Sequence, residues 1–453
     1  MAAGRGGIEA GGETGGETGG ETGGETGGET GGETGGEGMV GPGEGGRGPG
    51  AVGGMGRARA DSALIGILST LGFFAIFSST MSKSPVLPLF ARSMGAGTDI
   101  IGLIAAISPI AGIVLSFPVG LLADRVGKKR LLVAAAAVFV AAPLLYLAAP
   151  GPLWLIPIRF FHGIATAILG PVSSALILSE YRATKGEKLG IYSSATLVGR
   201  SLAPLAGGAV MTLFASLRGG WNFRLVYVGT FLLALPVLFL SLAMPAERAG
   251  TGTLEKLGFR DFLSGLADFL GRRRLAATAL VEAATYFVYG AFETYLPLFL
   301  QGSGLPTYQI GLIFSLQILA MALSKPLFGR LSDNIDRRIQ VLIGILALGG
   351  AFALIPLAGG IVAATLVGIV FGLGLSFSTV ATNTYVSDVA DEEKLGASMG
   401  ALSSIMDIGH SAGPFVVGLI VASSGLRVGF LAGFAVCLVS ALVFAGTVFR
   451  RLR

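Results

Sequence analysis

The stretch Gly120-Leu-Leu-Ala-Asp124-Arg125-Val-Gly127-Lys128-Lys129-Arg130 sets a dense charged turn between two long apolar runs, and it occurs twice. Its second copy, Gly329-Arg-Leu-Ser-Asp333-Asn334-Ile-Asp336-Arg337-Arg338, lies 209 residues further on. The register also holds upstream of the turn. Leu87-Pro88-Leu89-Phe90 recurs as Leu296-Pro297-Leu298-Phe299, Gly95 as Gly304, and Ile101-Gly102-Leu103-Ile104 as Ile310-Gly311-Leu312-Ile313. One offset kept over so many positions marks a tandem duplication of about 200 residues.

Composition identifies the solvent. Of 453 residues 52% are hydrophobic and 13% charged, and the mean hydropathy is +0.75, outside the range of soluble globular domains and inside that of polytopic membrane proteins. The single cysteine, Cys437, sits in an apolar run and has no intrachain partner. No Cys/His cluster of metal-binding type occurs, so neither a metal nor a cofactor is expected. The net charge of +5 is spread over loops and is no footprint of nucleic-acid binding.

Residues 1–61 are low in complexity, with Gly-Gly-Glu-Thr in tandem from Gly11 to Thr34. Such a segment has too little apolar surface to fold and is expected to be a disordered tail, either a spacer or an acidic arm that binds a partner. From Ala63 onward, apolar runs of about 20 residues, enough to cross a hydrocarbon core as helix, alternate with short connections. They fall near 63–90, 99–122, 131–149, 152–178, 189–214, 222–244, 276–300, 308–329, 339–358, 360–386, 397–423 and 427–448. The expected fold is an all-α integral membrane protein of twelve transmembrane helices in two pseudo-symmetric six-helix halves, 62–245 and 276–453. Arg57, Arg59, Arg125 to Arg130, Lys185, Lys188, Arg337, Arg338 and Arg450 to Arg453 all fall on one side. The positive-inside rule then makes both termini and both charged turns cytoplasmic. The linker 246–275 carries Phe259, Phe262, Leu263, Leu266, Phe269 and Leu270 at helical spacing beside Arg260 and Arg272 to Arg274, a pattern that predicts an amphipathic helix on the inner membrane surface.

Twelve spans in two halves, with Gly-x-x-x-Asp-Arg-x-Gly-Lys-Lys between spans 2 and 3 and a decayed copy between spans 8 and 9, resemble the major facilitator superfamily of secondary transporters over residues 63–448. Arg159-x-x-x-Gly163 in span 4 matches a further signature. Gly199-x-x-x-Ala203-Pro204-x-x-Gly207-Gly208 in span 5 resembles the motif of the drug and metabolite proton antiporters, with Ala203 where glycine is usual. Span 11 repeats it loosely around Pro414. The resemblance implies a fold in which spans 1, 4, 7 and 10 line a cavity, spans 3, 6, 9 and 12 face lipid, and the Gly120 turn latches the outward-facing state. In that latch Asp124 caps the start of span 11, and Glu180 pairs with the cations Arg125 and Lys128 beside Gly127. The copy with Gly329, Asp333 and Arg337 departs from the pattern at Asn334 and Asp336, so its latch is expected to be weaker.

The motifs also have a physical reading of their own. Gly199, Gly207 and Gly208 let helix backbones approach closely, while Pro204 and Pro414 free carbonyls and permit bends. A charge at mid-bilayer costs at least about 2.5–3.5 kcal/mol and persists where it faces partners or a water-filled cavity. The intramembrane charges noted are Lys83, Arg159, His162, Arg200, Glu282, Glu293, Asp407 and His410; spans 3, 6, 9 and 12 have none in their interiors. Glu282, Tyr286, Tyr289 and Glu293 form one stripe on span 7, and Asp407, His410 and Pro414 one on span 11. Span 10 offers Asn383 with Ser376, Thr379 and Thr382. Arg159, Arg200, Lys83, Tyr286, Tyr289 and Asn383 are the candidate cavity residues. Lys83 and Glu293 are candidates for an outer gate. Asp407, Glu282, His410 and Glu293 are the candidate proton carriers, because carboxylates and imidazoles can be neutralised in one half-cycle whereas guanidinium stays charged.

The sequence thus predicts a monomeric, multi-pass transporter of a prokaryotic cytoplasmic membrane, moving a small solute by alternating access with proton-coupled export. Two alternatives stay open. The basic excess of Lys83, Arg159 and Arg200 would suit uptake of an anionic solute or a metal chelate such as iron, and a transporter-like sensor or scaffold would use the tail and the surface helix. No nucleotide loop, metal-ligand cluster or nucleophile elbow is present, so an enzyme is not expected.

Overall fold

The computed structural model describes residues 50–181, 183–217, 219–244, 259–332 and 335–449, without the side chains of 50–62, 116–118, 120, 121, 124, 125, 259–262 and 393. The Gly-Gly-Glu-Thr repeats, Asp333 and the side chains of Asp124 and Arg125 therefore lie outside the described residues. All regular structure among the described residues is helical: α1 (Gly50–Lys83), α2 (Val86–Ser93), α3 (Thr98–Val126), α4 (Lys128–Ala148), α5 (Leu155–Glu180), α6 (Lys185–Leu213), α7 (Trp221–Ala243), α8 (Phe259–Gly271), α9 (Arg273–Gly302), α10 (Thr307–Ser332), α11 (Arg337–Leu354), α12 (Ile361–Val389), α13 (Leu395–Ser424) and α14 (Leu426–Val448). Helix α1 is described from Gly50, inside the segment expected to be a tail over 1–61.

Eleven of these segments are long and apolar enough to cross a bilayer, α1 and α2 counting as one. The twelfth expected span, α6, is as long as its neighbours but less apolar, because it carries Arg200 and a run of Ser and Thr residues. That polarity has a use, since α6 borders a cavity. Helix is the only economical choice for such segments, as backbone amides in hydrocarbon must bond within their own strand of chain. Exposed apolar side chains run along α7 (Leu232, Phe239, Leu242), α11 (Ile339, Ile343) and α14 (Leu431, Val439, Leu442), a surface suited to lipid.

The duplication is visible in backbone geometry. Gly95 and Gly304 close the first crossing of each repeat with φ of 89° and 87°, a left-handed conformation that glycine adopts without steric cost. The charged turns differ at one matched position. Gly127 ends α3 with φ of 95°, whereas its counterpart Asp336 starts α11 as an N-cap, its Oδ1 accepting from the Arg338 amide at 2.9 Å. A carboxylate there serves the helix that follows, where the first copy uses glycine to end the helix that precedes.

Each turn also reaches the same place in its own repeat. Lys128 Nζ donates to Ser179 Oγ at 3.2 Å, and Arg337, 209 residues later, pairs with Asp388, 209 residues after Ser179. Glu180, expected to take the turn's cations, makes no ion pair among the described residues; Lys128 bonds the preceding serine instead. Lys129 bonds the Met244 carbonyl at the end of α7. The cap expected of Asp124 on α13 lies outside the described side chains.

The linker helix α8 packs on the last six spans. Phe269 is buried against Leu275, Val386, Ala401 and Leu402, Lys394 Nζ donates to Asp268 at 2.8 Å and Arg272 Nη2 to Asp391 at 2.5 Å. These cations hold the Asp268 and Asp391 carboxyls below the usual carboxylate range. Leu263 and Leu270 stay exposed.

The first and last six spans meet along two seams, α3 against α13 and α6 against α10. Both are built from the repeat. A methyl group at Gly102 would overlap the Pro414 carbonyl oxygen, and one at Gly311 would overlap that of Pro204; likewise Gly418 faces the Thr98 carbonyl and Gly208 that of Thr307. Hydrogen bonds finish each seam. Tyr295 Oη donates to the Pro414 carbonyl at 2.6 Å and the Thr98 carbonyl at 3.1 Å, while the Tyr308 amide donates to Thr212 Oγ1 at 3.0 Å and the Leu205 amide to Ser315 Oγ at 3.2 Å. These contacts sit toward the end away from the charged turns, hereafter the far end. Gly208→Val should wedge the α6/α10 seam open. Oxidative cross-linking of a Thr212→Cys/Tyr308→Cys pair would then fall severalfold against the same pair with Gly208 intact, and an unchanged yield would show that the seam tolerates a side chain.

Candidate functional site

Between the two sets of helices lies a cavity of about 510 Å³. It is lined by six charged or titratable side chains from five spanning helices: Lys83 (α1), Arg159 (α5), Arg200 (α6), Glu293 (α9), and Asp407 with His410 (α13). Apolar walls come from Ile76, Leu169, Phe314, Ile318 and Met406, with Tyr192 and Tyr289 among them.

At its far end the cavity is closed by a charged triad. Glu293 Oε2 accepts from Lys83 Nζ at 2.6 Å and meets His410 Nε2 at 2.9 Å. Lys83 and Glu293, the candidates for an outer gate, are in contact. The role of His410 in the same contact was not read from sequence, although the signal was there: Glu293 shares a stripe with Tyr286 and Tyr289, and His410 packs its ring on both, 6.3 Å and 5.4 Å between centroids. Tyr289 in turn stacks on Phe371.

Arg159 is 3% exposed, and its Nε makes no hydrogen bond. Neither Arg159 nor Arg200 has an acidic partner within ion-pair distance among the described residues. The Asp407 carboxylate likewise has no hydrogen-bond or ion-pair partner among them; it stands beside Gly112 of α3, at the seam. Three charges thus stay open in the cavity while Lys83, Glu293 and His410 bind one another.

Other candidates lie apart. Glu282 is 2% exposed, accepts from Thr382 Oγ1 at 2.6 Å, and is not part of the cavity lining. Lys325 of α10, missing from the charges noted in the sequence, is within electrostatic reach of Glu282 and Arg200. Asn383 donates to the Thr379 carbonyl of its own helix at 2.6 Å and is absent from the lining, so its spacing along span 10 misled. Tyr286 touches Tyr289 and His410 from behind the lining. His162 is buried against Phe139 and Tyr146. In the span-5 motif, Gly199 packs on the Phe73 carbonyl and Gly207 on Met81 and Val86, all in the first crossing, and Gly208 faces the other repeat. No group of three metal-ligating side chains occurs among the described residues.

Comparison with known proteins agrees with this architecture. A sequence profile described as Major Facilitator Superfamily matches residues 68–316 and 304–453. An uncharacterised MFS-type transporter of Methanocaldococcus jannaschii is 25% identical over 341 residues, 74% of this chain and 86% of its own length. A multi-drug resistance efflux pump PmrA homologue of Lactococcus lactis is 26% identical over 368 residues, 77% and 86% of the two chains. Among solved structures, a nucleoside transporter, NupG, superposes with a TM-score of 0.73 at 13% identity, over 86% of this chain and 99% of its own.

The triad yields a charge-exchange prediction. Lys83→Glu and Glu293→Lys should each weaken the far-end seal, and the double exchange should restore part of the transport lost in either single variant. A double exchange no better than the worse single variant would remove the pair from the gate.

Proposed function

The chain belongs to the major facilitator superfamily of membrane transporters, and from that premise we propose that it moves a small solute by alternating access, with export driven by inward proton flow. The observation that carries the proposal is the cavity. It lies between the repeats, is sealed at the far end by Lys83, Glu293 and His410, and holds an unpaired carboxylate, Asp407. With the charged turns on the cytoplasmic side by the positive-inside rule, this is the inward-facing arrangement. The two six-helix halves, 62–245 and 276–453, would then rock about the glycine seams while the linker helix travels with the second half. Efflux by the Lactococcus lactis relative supports export as the direction.

A proton carrier must be charged in one half-cycle and neutral in the other. Arg159 and Arg200 cannot do this, since guanidinium does not deprotonate in proteins. Glu293 is committed to two partners, and His410 to Glu293. Glu282 is bonded to Thr382 behind the cavity wall. Asp407 alone combines a carboxylate, open access to the cavity and a place on the seam. In the outward-facing state it would take a proton, and in the inward-facing state release it.

A screen of solutes in proteoliposomes under an imposed pH gradient tests transport and its direction together. Asp407→Asn should abolish gradient-driven accumulation yet preserve solute exchange down its own gradient, because exchange needs the cavity and no proton. Glu282→Gln should accumulate solute as the native protein does. If Asp407→Asn still concentrates solute against its gradient, Asp407 is not the coupling residue; if Glu282→Gln alone loses that ability, the role passes to Glu282.

A further inference from the structure

The charges of the cavity do not balance, and the imbalance describes a solute. Glu293 meets both Lys83 and His410 through a single oxygen, so the far-end triad satisfies itself and offers nothing to a ligand. Arg159, Arg200 and Asp407 are left over, none with an ion-pair partner among the described residues. Two guanidiniums against one carboxylate leave one uncompensated positive charge.

Arg159 makes this more than a count. It is 97% enclosed, the complement of its 3% exposure, and its Nε lacks a hydrogen bond. A lysine so placed could relieve the cost by losing its proton; arginine cannot. Its charge persists through the cycle and is tolerable where an anion neutralises it for part of that cycle. The planar fork of guanidinium suits oxygens held in pairs, as in a carboxylate or sulfonate. Beyond the charges, Leu169, Phe314, Ile318 and Met406 give the cavity apolar walls, which would host a hydrocarbon or aromatic body rather than a second polar group. A second negative charge would exceed the excess by one and face Asp407, and a cation would face both arginines.

Resting on the transporter reading above, we propose that the solute is an amphipathic organic monoanion, a carboxylate or sulfonate with an apolar body, whose acid group is bound by Arg159 and Arg200. The site is selective by charge sign and charge number before shape. It differs from a cation-binding drug cavity in having its spare charges positive, with its one other cavity carboxylate, Glu293, tied into the gate.

The test uses the purified full-length protein and calorimetric titration with four probes: 4-phenylbutyrate and naphthalene-2-sulfonate as monoanions, 4-phenylbutylamine as the matched cation, and succinate as a dianion without an apolar body. The two monoanions should bind, and the amine and succinate should not. Arg159→Gln and Arg200→Gln should each weaken monoanion binding by about tenfold or more, and Arg159→Lys should keep part of it. Should Arg159→Gln fail to fold, Arg200→Gln decides alone, since Arg200 is exposed to the cavity and its loss leaves no buried gap. The assignment is overturned if the amine binds as well as the acids, if neither acid binds, or if acid binding ignores both arginines. A failure of the transporter reading would look different: the monoanions would bind with the same arginine dependence yet never cross proteoliposome membranes.

Discussion

The junction between the two repeats depends on two places where helix backbones touch at glycine. At Gly102 against Pro414 and Gly311 against Pro204, a carbonyl oxygen occupies the space a Cβ would need. Contact this close gives strong dispersion and good weak hydrogen bonding, and the side chains that join it, Tyr295, Thr212 and Ser315, do so through single hydroxyls. Such a seam can hold two helices firmly and still let them slide or part, since no knob must leave a hole. The interior of each half is the opposite case, with Phe90, Tyr146 and Tyr227 in ring contact in the first and Phe292, Phe314, Phe352 and Phe371 in the second. Rigid halves joined by smooth seams are what a rocking transporter requires, and the sequence duplication supplies both seams from one ancestral pair.

Duplication also explains where symmetry stops. Lys128 to Ser179 and Arg337 to Asp388 are the same contact, but the first joins a cation to an uncharged hydroxyl and the second is an ion pair. Asp336 caps its helix where Gly127 ends one. Such drift costs little at an exposed turn, where ion pairs contribute at most about 1 kcal/mol. The seam glycines Gly102, Gly208, Gly311 and Gly418 have kept their register, because there no side chain fits.

Which features were legible in the sequence follows from the same physics. Apolar length, repeat offset and glycine placement are one-dimensional signals, and from them come the spans, the halves and the touching motifs. The pair of Lys83 and Glu293 was legible because matched depth on spans 1 and 7 follows from the repeat. The third member, His410, was not, because its meeting with Glu293 depends on how α9 and α13 are rotated about their axes. Asn383 failed for a related reason: a polar side chain on a lining helix can turn back to its own backbone. Glu282 was legible as a buried acid and illegible as one already bonded to Thr382. The count of spans was nearly lost at α6, where polarity that serves the cavity lowers hydropathy until the helix scarcely resembles a crossing.

Helix α13 is where the parts converge. Asp407, His410 and Pro414 lie three and four residues apart, on one face. The first stands open in the cavity beside Gly112, the second completes the far-end triad, and the third takes the Tyr295 hydroxyl and the Gly102 backbone at the seam. Under the proposed cycle a proton arriving at Asp407 changes the charge one helical turn from the gate and two from the Pro414 contact. No long-range pathway is needed. A rotation or tilt of one helix, prompted by the electrostatics at Asp407, would strain the bond between His410 and Glu293 and the contact at Pro414 together, so in that cycle proton, gate and seam would be coupled through the stiffness of a single helix.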